Sequence, residues 1–186
     1  MKNKNLFFYL FFLIIFLLGI NVYKDYGLNL DDEWYRKNGE LYYQYLKNLF
    51  STKGNFVDIE TLSIQIVGDK GLIAFPVIYE LSLAIITDVI KIKDIDKIYE
   101  FSHFFNFSLF FISLIFFFKL ISKKFKLVAY SYFSIIVLFF TPRIFAESFY
   151  NSRDIFFLSL FLFNIYAAYN FLGNSSIKNS IYFLRR

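Results

Sequence analysis

Carboxylates gather at two places in this sequence, and each follows or interrupts an apolar run. The first place is Asp31-Asp32-Glu33, separated by ten residues from the apolar run at residues 6–20. The second is the polar block at residues 141–154, TPRIFAESFYNSRD. A carboxylate can accept the proton of a hydroxyl, and a guanidinium can balance the charge of a departing phosphate. These residue types suit sugar transfer from a lipid phosphate.

The spacing within the second block predicts how its polar side chains are presented. Arg143, Glu147, Asn151 and Asp154 follow one another at intervals of four, four and three. A continuous helix would align them on one face, where they could hold an anionic headgroup and a carboxylate together. In that scheme Asp32 activates the acceptor, and an arginine of the block balances the phosphate. The alternative is a solvated loop with an Arg143–Glu147 ion pair.

The first cluster also has a purely structural interpretation. Asp31 can cap a helix, and Asp32 and Glu33 can be first-turn acids that face the helix dipole. Three further basic candidates for substrate binding are Arg153, Lys70 and the single histidine, His103. Lysine near a membrane also buries its stem along apolar surface, and a lone histidine also occurs as a packed residue. Both interpretations stay open at this point.

The composition indicates an integral membrane protein. Hydrophobic residues make up 58% and aromatic residues 24% of the chain, and the mean hydropathy is +0.50. The apolar residues form stretches of membrane-spanning length rather than short strand-length runs. The net charge of +5 comes from short basic clusters beside these stretches, which is typical of cytoplasmic anchors and argues against nucleic acid as a partner. Since there is no cysteine, disulfides and thiolate metal sites are excluded.

The charge distribution predicts the topology. Spans are expected at about 6–22, 102–122, 127–145 and 155–172, with a cytoplasmic amino terminus in a cell-membrane protein. The apolar run at residues 72–90 is placed along the outer interface, because it carries Pro76, Glu80 and Asp88. If it spanned, the lysines at 119–126 would fall outside, against the positive-inside bias. An outer loop at 23–101 and the block at 141–154 then share the outer side.

The outer loop is expected to hold two interfacial helices. One follows Asp31, and its apolar face is predicted to consist of Leu41, Tyr42, Tyr45, Leu46, Leu49 and Phe50. The other lies within residues 72–90, and residues 51–70 between them are predicted to be a loop. The predicted fold class is an all-α polytopic membrane protein with about four transmembrane helices and two interfacial helices, forming one membrane module over residues 1–186.

Two segments resemble motifs of the GT-C glycosyltransferases, the superfamily of protein O-mannosyltransferases and aminoarabinose transferases. YGLNLDDEWYRKNGE is similar to the first-loop motif of that superfamily, whose acidic pair falls on Asp32 and Glu33. TPRIFAESFYNSRDIFFLSLF resembles the second-loop region, whose aspartate would be Asp154. The sequence departs from the family pattern at two places. At Ser102-His103 the family has an arginine. Lys70 is not followed by the two prolines of the family's Lys-Pro-Pro type motif.

The resemblance implies a hexosyl- or pentosyltransferase that moves a sugar from a polyprenyl-phosphate donor to an acceptor on the outer face of the bilayer. It also implies Asp32, Glu33 and Asp154 as catalytic residues, and a divalent metal such as Mg or Mn at Asp32 and Asp154 in some members. Family members carry more spans than four, so the chain is expected to be an incomplete transferase, inactive by itself or completed by a partner chain. The alternative is a non-catalytic membrane subunit or a lipid-headgroup-binding protein.

Overall fold

A computed structural model describes residues 2–28, 31–50, 61, 63–64 and 77–173. Those residues form helices, turns and short connections and contain no strand, so the all-α class is confirmed. The helices in chain order are α1 (Lys2–Val22), α2 (Asp32–Leu49), α3 (Ile78–Val89), α4 (Ile95–Lys124), α5 (Ala129–Phe140), α6 (Pro142–Tyr150) and α7 (Ser152–Gly173).

Two of the described helices, α4 and α7, are long and apolar enough to cross a membrane. The pair α5 and α6 qualifies only as one bent span, because the two axes meet at 67°. The bend falls at Thr141, which is extended (ψ 116°) and precedes Pro142, and a residue before proline disfavours helical backbone. In α1 the apolar segment Leu6–Val22 is shorter than the other candidates. The described residues therefore contain two candidate spans, or three if the bent pair counts as one, and the expected number of four spans stays a prediction.

The chain divides into two compact units. Unit 1 comprises Met1–Tyr26 and His103–Arg186, and unit 2 comprises Gly27–Ser102. The limits of unit 2 lie within four residues of the outer loop predicted at 23–101. The helix α4 contributes its first turns to unit 2 and the rest to unit 1.

Unit 1 is built around phenylalanine. Phe107 on α4 is fully buried, and its ring stacks on Phe149 of α6 with centroids 5.2 Å apart and planes inclined by 12°. Gly19 on α1 lies directly against the Phe107 ring, which occupies the space that a side chain at that position would need. Packing of a large side chain against a small residue is typical of helices in lipid, where dispersion contacts dominate association.

Different contacts hold the helices together at the two ends of unit 1. At one end, called here the Tyr26 end, the ring of Tyr26 stacks on Phe149 at 4.7 Å, and Asn106 donates to the Ser148 carbonyl at 3.1 Å. At the opposite end, called here the Lys123 end, the Lys123 ammonium donates to Asn170 near the end of α7. These contacts require α4 and α7 to run parallel, with the lysines at one end and the block 141–154 at the other.

Unit 2 is organised by the packing of α2 against α3. Gly39 is buried on α2, and a methyl group there would lie 2.6 Å from the carbonyl carbon of Glu80 on α3. The Tyr79 hydroxyl donates to the Ser102 carbonyl at 2.9 Å and so links α3 to the first turns of α4. Burial in the unit raises the pKa of Tyr79.

The apolar face predicted for α2 is only partly the buried one. Leu41 is fully buried, and Tyr42, Tyr45 and Leu46 are half-buried. Leu49 and Phe50, at the carboxyl end of α2, are instead 50% and 79% exposed. The face of α2 that meets α3 explains the difference, because it runs through Gly39, Tyr43 and Lys47 and leaves Leu49 and Phe50 outside the contact.

The ends of these helices follow from local chemistry. α3 ends in a Schellman motif, in which Ile92 N–H donates to the Thr87 carbonyl at 2.9 Å and Lys91 N–H to the Asp88 carbonyl at 3.1 Å. Lys91 accordingly adopts a positive φ of 61°, a conformation that glycine adopts at lower cost. Asp94 then caps α4 by accepting from Asp96 N–H at 3.1 Å.

Several predictions in the outer loop concern residues outside the described ranges. The loop predicted at 51–70 is described only at Thr61, Ser63 and Ile64, which have helical backbone. Of the helix expected within 72–90, the structure describes Ile78–Val89. Lys70 and Pro76 lie outside the described residues.

Candidate functional site

The three carboxylates at the start of α2 differ in their exposure and in the side chains that contact them. Asp31 occupies the N-cap position but makes no capping hydrogen bond through its side chain, so the predicted cap is wrong in that respect. It accepts instead from the Tyr35 hydroxyl at 3.2 Å. Its backbone is helical (φ −94°, ψ −5°), whereas a capping residue normally has extended backbone.

Glu33 is exposed and pairs with Lys37, whose ammonium lies 2.9 Å from the carboxylate. This hydrogen bond, with the charge of the same lysine, lowers the pKa of Glu33. A carboxylate that is paired and held ionised is a weaker proton acceptor. Asp32, the first residue of α2, is half-buried.

The polar block 141–154 does not form the continuous helical row that its spacing predicts. α6 ends at Tyr150, Asn151 leaves the helical conformation (φ −89°, ψ 82°), and α7 begins at Ser152. The Asn151 side chain caps α7 by accepting from Asp154 N–H at 3.1 Å, and its amide donates to the Asp154 carboxylate at 2.9 Å. Because Asn151 lies between the end of α6 and the start of α7, the residues before and after it do not share one helical face.

The four polar residues of the block therefore form two separate pairs and not one row along a helix. Arg143 Nε lies 2.8 Å from Glu147 Oε1, as the alternative interpretation anticipated. The Arg143 side chain is 81% exposed and that of Glu147 only 16%. The second pair is Asn151 with Asp154, whose side chain is exposed.

Two polar residues of α4 lie at the Tyr26 end of unit 1. His103 is buried at 5% exposure, and Asn106 follows one helical turn later and is fully buried. The Asn106 amide binds the α6 backbone at Ser148, which fixes α6 against α4. Sequence reasoning missed Asn106, although a lone asparagine within a phenylalanine-rich run was a usable signal. Arg153 is half-buried in the first turn of α7.

The predicted site residues thus belong to two units. Asp32 and Glu33 lie in unit 2, and His103, the block 141–154 and its arginines lie in unit 1. The cavity that they were expected to share stays a prediction.

No group of three His, Asp or Glu side chains that could hold a metal ion occurs within the described residues. Asp31 and Glu33 are engaged by Tyr35 and Lys37, and Asp154 is engaged by Asn151. Because Asp32 and Asp154, the metal ligands that the resemblance implies, belong to different units, no reaction step is derived through a metal.

The structure adds a cavity within unit 2 that the sequence did not predict. It measures about 280 Å³ and lies among α2, α3, the turn after α3 and the start of α4. Among the described residues, the charged side chains that line it are Arg36, Glu40, Glu80, Asp88 and Lys93. They are spread over nearly sixty positions, so no local motif reveals them.

A polar cluster stands at one wall of this cavity. The Tyr43 hydroxyl donates to Asp88 at 2.6 Å, and the Lys47 ammonium donates to the same carboxylate oxygen at 2.9 Å. Lys47 also lies 4.1 Å from the centre of the Tyr43 ring. These hydrogen bonds lower the pKa of Asp88 and raise the pKa of Lys47. The cluster joins α2 to the end of α3.

No family model, curated protein or solved structure matches this chain.

Proposed function

We propose that this chain is the membrane module of a GT-C type glycosyltransferase, which transfers a sugar from a polyprenyl-phosphate donor to an acceptor at the outer face of the membrane. The observation that carries the proposal is the Asp-Asp-Glu cluster of YGLNLDDEWYRKNGE, which begins the amphipathic helix α2 ten residues after α1 ends at Val22. A carboxylate at such a place can work at the depth of a lipid phosphate.

Chain connectivity supports a common side for the two polar segments. Six residues lead from Tyr26 to Asp32, and even when fully extended they reach only about 22 Å, less than the ~30 Å hydrocarbon core. Asp32 then lies on the same side of the bilayer as Tyr26. Within unit 1, Tyr26 contacts the Phe149 ring, at the same end as the block 141–154. The lysines at the opposite end favour a cytoplasmic location for that end, and so a multi-pass chain with its amino terminus inside.

The proposed reaction uses Asp32 as the proton acceptor. The acceptor hydroxyl attacks the anomeric carbon of the donor sugar, its proton passes to the Asp32 carboxylate, and the bond from that carbon to the phosphate oxygen breaks. The polyprenyl phosphate leaves with the electron pair. Glu33, already paired with Lys37, contributes negative charge beside Asp32 rather than proton transfer.

The departing phosphate requires positive charge. Arg143 suits this role, because its side chain is 81% exposed and the ion pair with Glu147 engages the Nε side of the guanidinium. An arginine has five N–H donors, so further donors remain for phosphate oxygens. Arg153, His103 and Lys70 are additional candidates for donor binding, and Asp154 for orienting the sugar.

The test measures transfer and donor hydrolysis in membranes that contain the full chain. The donors are undecaprenyl-phosphate [¹⁴C]mannose and the corresponding 4-amino-arabinose compound. Asp32→Asn should reduce release of undecaprenyl phosphate at least about a hundredfold, the lower range for loss of a general base. Glu100→Gln, which neutralises an exposed acid elsewhere in unit 2, is the matched control. Wild-type turnover that Asp32→Asn leaves unchanged would refute the role of Asp32.

A second candidate function is a non-catalytic membrane subunit. It is favoured by the local pairing of polar side chains: Glu33 with Lys37, Arg143 with Glu147, and Asn151 with Asp154. Local pairs of this kind stabilise helices and their ends without any ligand. This function predicts no donor turnover by the wild-type chain, together with co-purification of a partner that loses activity when the chain is deleted.

A further inference from the structure

We propose that Lys119 and Lys123, at the Lys123 end of unit 1, bind the phosphodiester of an anionic phospholipid. The site lies on the surface of α4 that faces α7, and its position follows from the contacts of these two lysines. This inference concerns a different site from the proposed sugar transfer and does not depend on it.

The side-chain carboxylates of unit 1 all lie away from these lysines. Its acidic residues are Asp25, Glu147 and Asp154, which adjoin Tyr26 or belong to the block 141–154 at the Tyr26 end. No aspartate or glutamate occurs at residues 101–146 or 155–186. From the Tyr26 end to Lys123 the helix α4 rises by about 25 Å. The counter-charge for the lysines must therefore come from outside unit 1.

Both lysines are exposed and keep hydrogen-bond donors for a ligand. Lys123 gives one of its N–H groups to Asn170, whose side chain is neutral, so this contact leaves the positive charge uncompensated. Lys119 lies 5.6 Å from the centre of the Phe116 ring, and the described part of the chain supplies no ion pair to either lysine. Because the two lysines are four residues apart on one helix face, their charges repel each other. An anion bound between them removes that repulsion.

The structure separates these two lysines from the other two of the cluster. Lys123 lies over the ring of Tyr166 on α7, with its ammonium 5.1 Å from the ring centre. Lys124, the last residue of α4, lies instead over the ring of the residue that follows it, at 5.9 Å, and Lys126 comes after the end of the helix. A site on the α7 side of α4 therefore involves Lys119 and Lys123 only. A general attraction to a charged membrane surface would involve all four lysines.

Aromatic side chains beside the lysines favour a lipid over a free phosphate. The Phe116 ring meets Phe163 of α7 at 5.0 Å and Tyr166 at 5.3 Å. Phe163 is 45% exposed, and Ile112, one turn before Phe116 on α4, is 49% exposed. Both helices are candidate spans, so these side chains lead from the lysines into the apolar part of each helix. An acyl chain can lie along them while the phosphate contacts the lysines, whose stems extend along apolar surface to the depth of the headgroups.

The charge of the site selects among phospholipids. Two ammonium groups without a neighbouring carboxylate favour a headgroup with net negative charge, and hydrogen bonds from ammonium to phosphate are strengthened by both charges. A zwitterionic headgroup brings its own cation, which the lysines repel and for which this end of unit 1 has no acidic side chain. Phosphatidylglycerol, in which the phosphodiester is the only charged group, is therefore the probe that matches the site.

The test is lipid retention by the purified full chain in mild detergent, measured by native mass spectrometry with phosphatidylglycerol and phosphatidylcholine at equal concentrations. The wild-type chain should retain phosphatidylglycerol about tenfold more than phosphatidylcholine. Lys119→Gln and Lys123→Gln should each reduce this preference about fivefold, which is the contribution of one lysine near anionic lipid. Lys124→Gln and Lys126→Gln, which remove the same charge elsewhere in the cluster, are the matched controls and should leave the preference within about twofold.

A charge-preserving variant guards against effects of misfolding. The combined variant Lys119→Arg with Lys123→Arg should keep the preference, and thermal unfolding in detergent should show that the glutamine variants are folded. Equal losses in all four glutamine variants would indicate a general charge effect and would overturn the proposal, as would equal retention of both lipids by the wild type.

A soluble competitor distinguishes a lipid from a free phosphate. A failure of millimolar glycerophosphoglycerol to displace phosphatidylglycerol would support the lipid ligand. Displacement at that concentration would show that a free phosphodiester suffices and would overturn the assignment to a lipid. Asp32→Asn should keep the preference for phosphatidylglycerol, which separates this site from sugar transfer.

Discussion

The contact between α2 and α3 at Gly39 provides the sharpest test of unit 2. We expect Gly39→Ala to destabilise the unit, because the new methyl group would lie 2.6 Å from the Glu80 carbonyl carbon and 2.9 Å from its Cβ. Both atoms are close to the α3 backbone, which cannot turn aside as the end of a flexible side chain can. The two helices must separate by several tenths of an ångström.

The magnitude follows from two opposing effects. Overpacking a buried contact costs about 1–3 kcal/mol. Alanine inside a helix is more favourable than glycine by about 0.5–1 kcal/mol. The net expectation is a loss of about 1–2 kcal/mol in the free energy of unfolding of unit 2.

The chain offers its own reporter for this measurement. Trp34, the single tryptophan, lies on α2 five residues before Gly39, so its fluorescence follows unfolding of α2 by denaturant. Gly173→Ala is the matched control, since Gly173 ends α7 and a methyl group there would meet nothing within 4 Å. If Gly39→Ala were as stable as the wild type while the control was neutral, the α2–α3 contact described here would be incorrect.

Three further predictions concern the ends and links of helices. The ion pair between Asp88 and Lys47 should weaken at both extremes of pH. It is lost as the pH falls below the ordinary aspartate pKa of 3.8, because the pKa of Asp88 is lowered in the folded chain. It is also lost as the pH rises above the ordinary lysine pKa of 10.5, because the pKa of Lys47 is raised in the folded chain. Asp88→Asn should remove the acid-side loss in Trp34 unfolding curves; an unchanged curve would exclude this link as its source. Lys91→Gly should raise the stability of unit 2 by up to about 1 kcal/mol, since glycine adopts positive φ without strain, and a loss there would contradict the motif at the end of α3. Asn151→Ala should cost about 1 kcal/mol through loss of the α7 cap, measured by thermal unfolding in detergent against Asn164→Ala on the exposed face of α7; equal losses would refute the cap.

The positions at which one helix ends and the next begins were only partly predictable. Pro142 marks the bend between α5 and α6, and proline is a local signal that sequence reasoning can use. The second break, at Asn151, depends on a side chain that caps the following helix, and the same residues also fit a continuous helix by spacing. Local spacing could not choose between the two, so the predicted row of four polar residues became two pairs.

The burial of α2 shows a similar limit. Its helical periodicity correctly predicted an amphipathic helix after Asp31, since period is a property of the sequence alone. Which part of that helix is buried depends on the partner, and the partner helix meets α2 at Gly39 rather than at Leu49 and Phe50.

The sequence by itself determined the helical class, the apolar segments and the approximate limits of the segment that forms unit 2, because hydrophobicity and charge act along the chain at short range. Only the tertiary structure decided that Glu80, Arg36 and Lys93 line one cavity and that Tyr26 lies at the same end of unit 1 as Asn106 and the block 141–154. These contacts join residues dozens of positions apart. They depend on which helix faces pack together, and no local pattern fixes that choice.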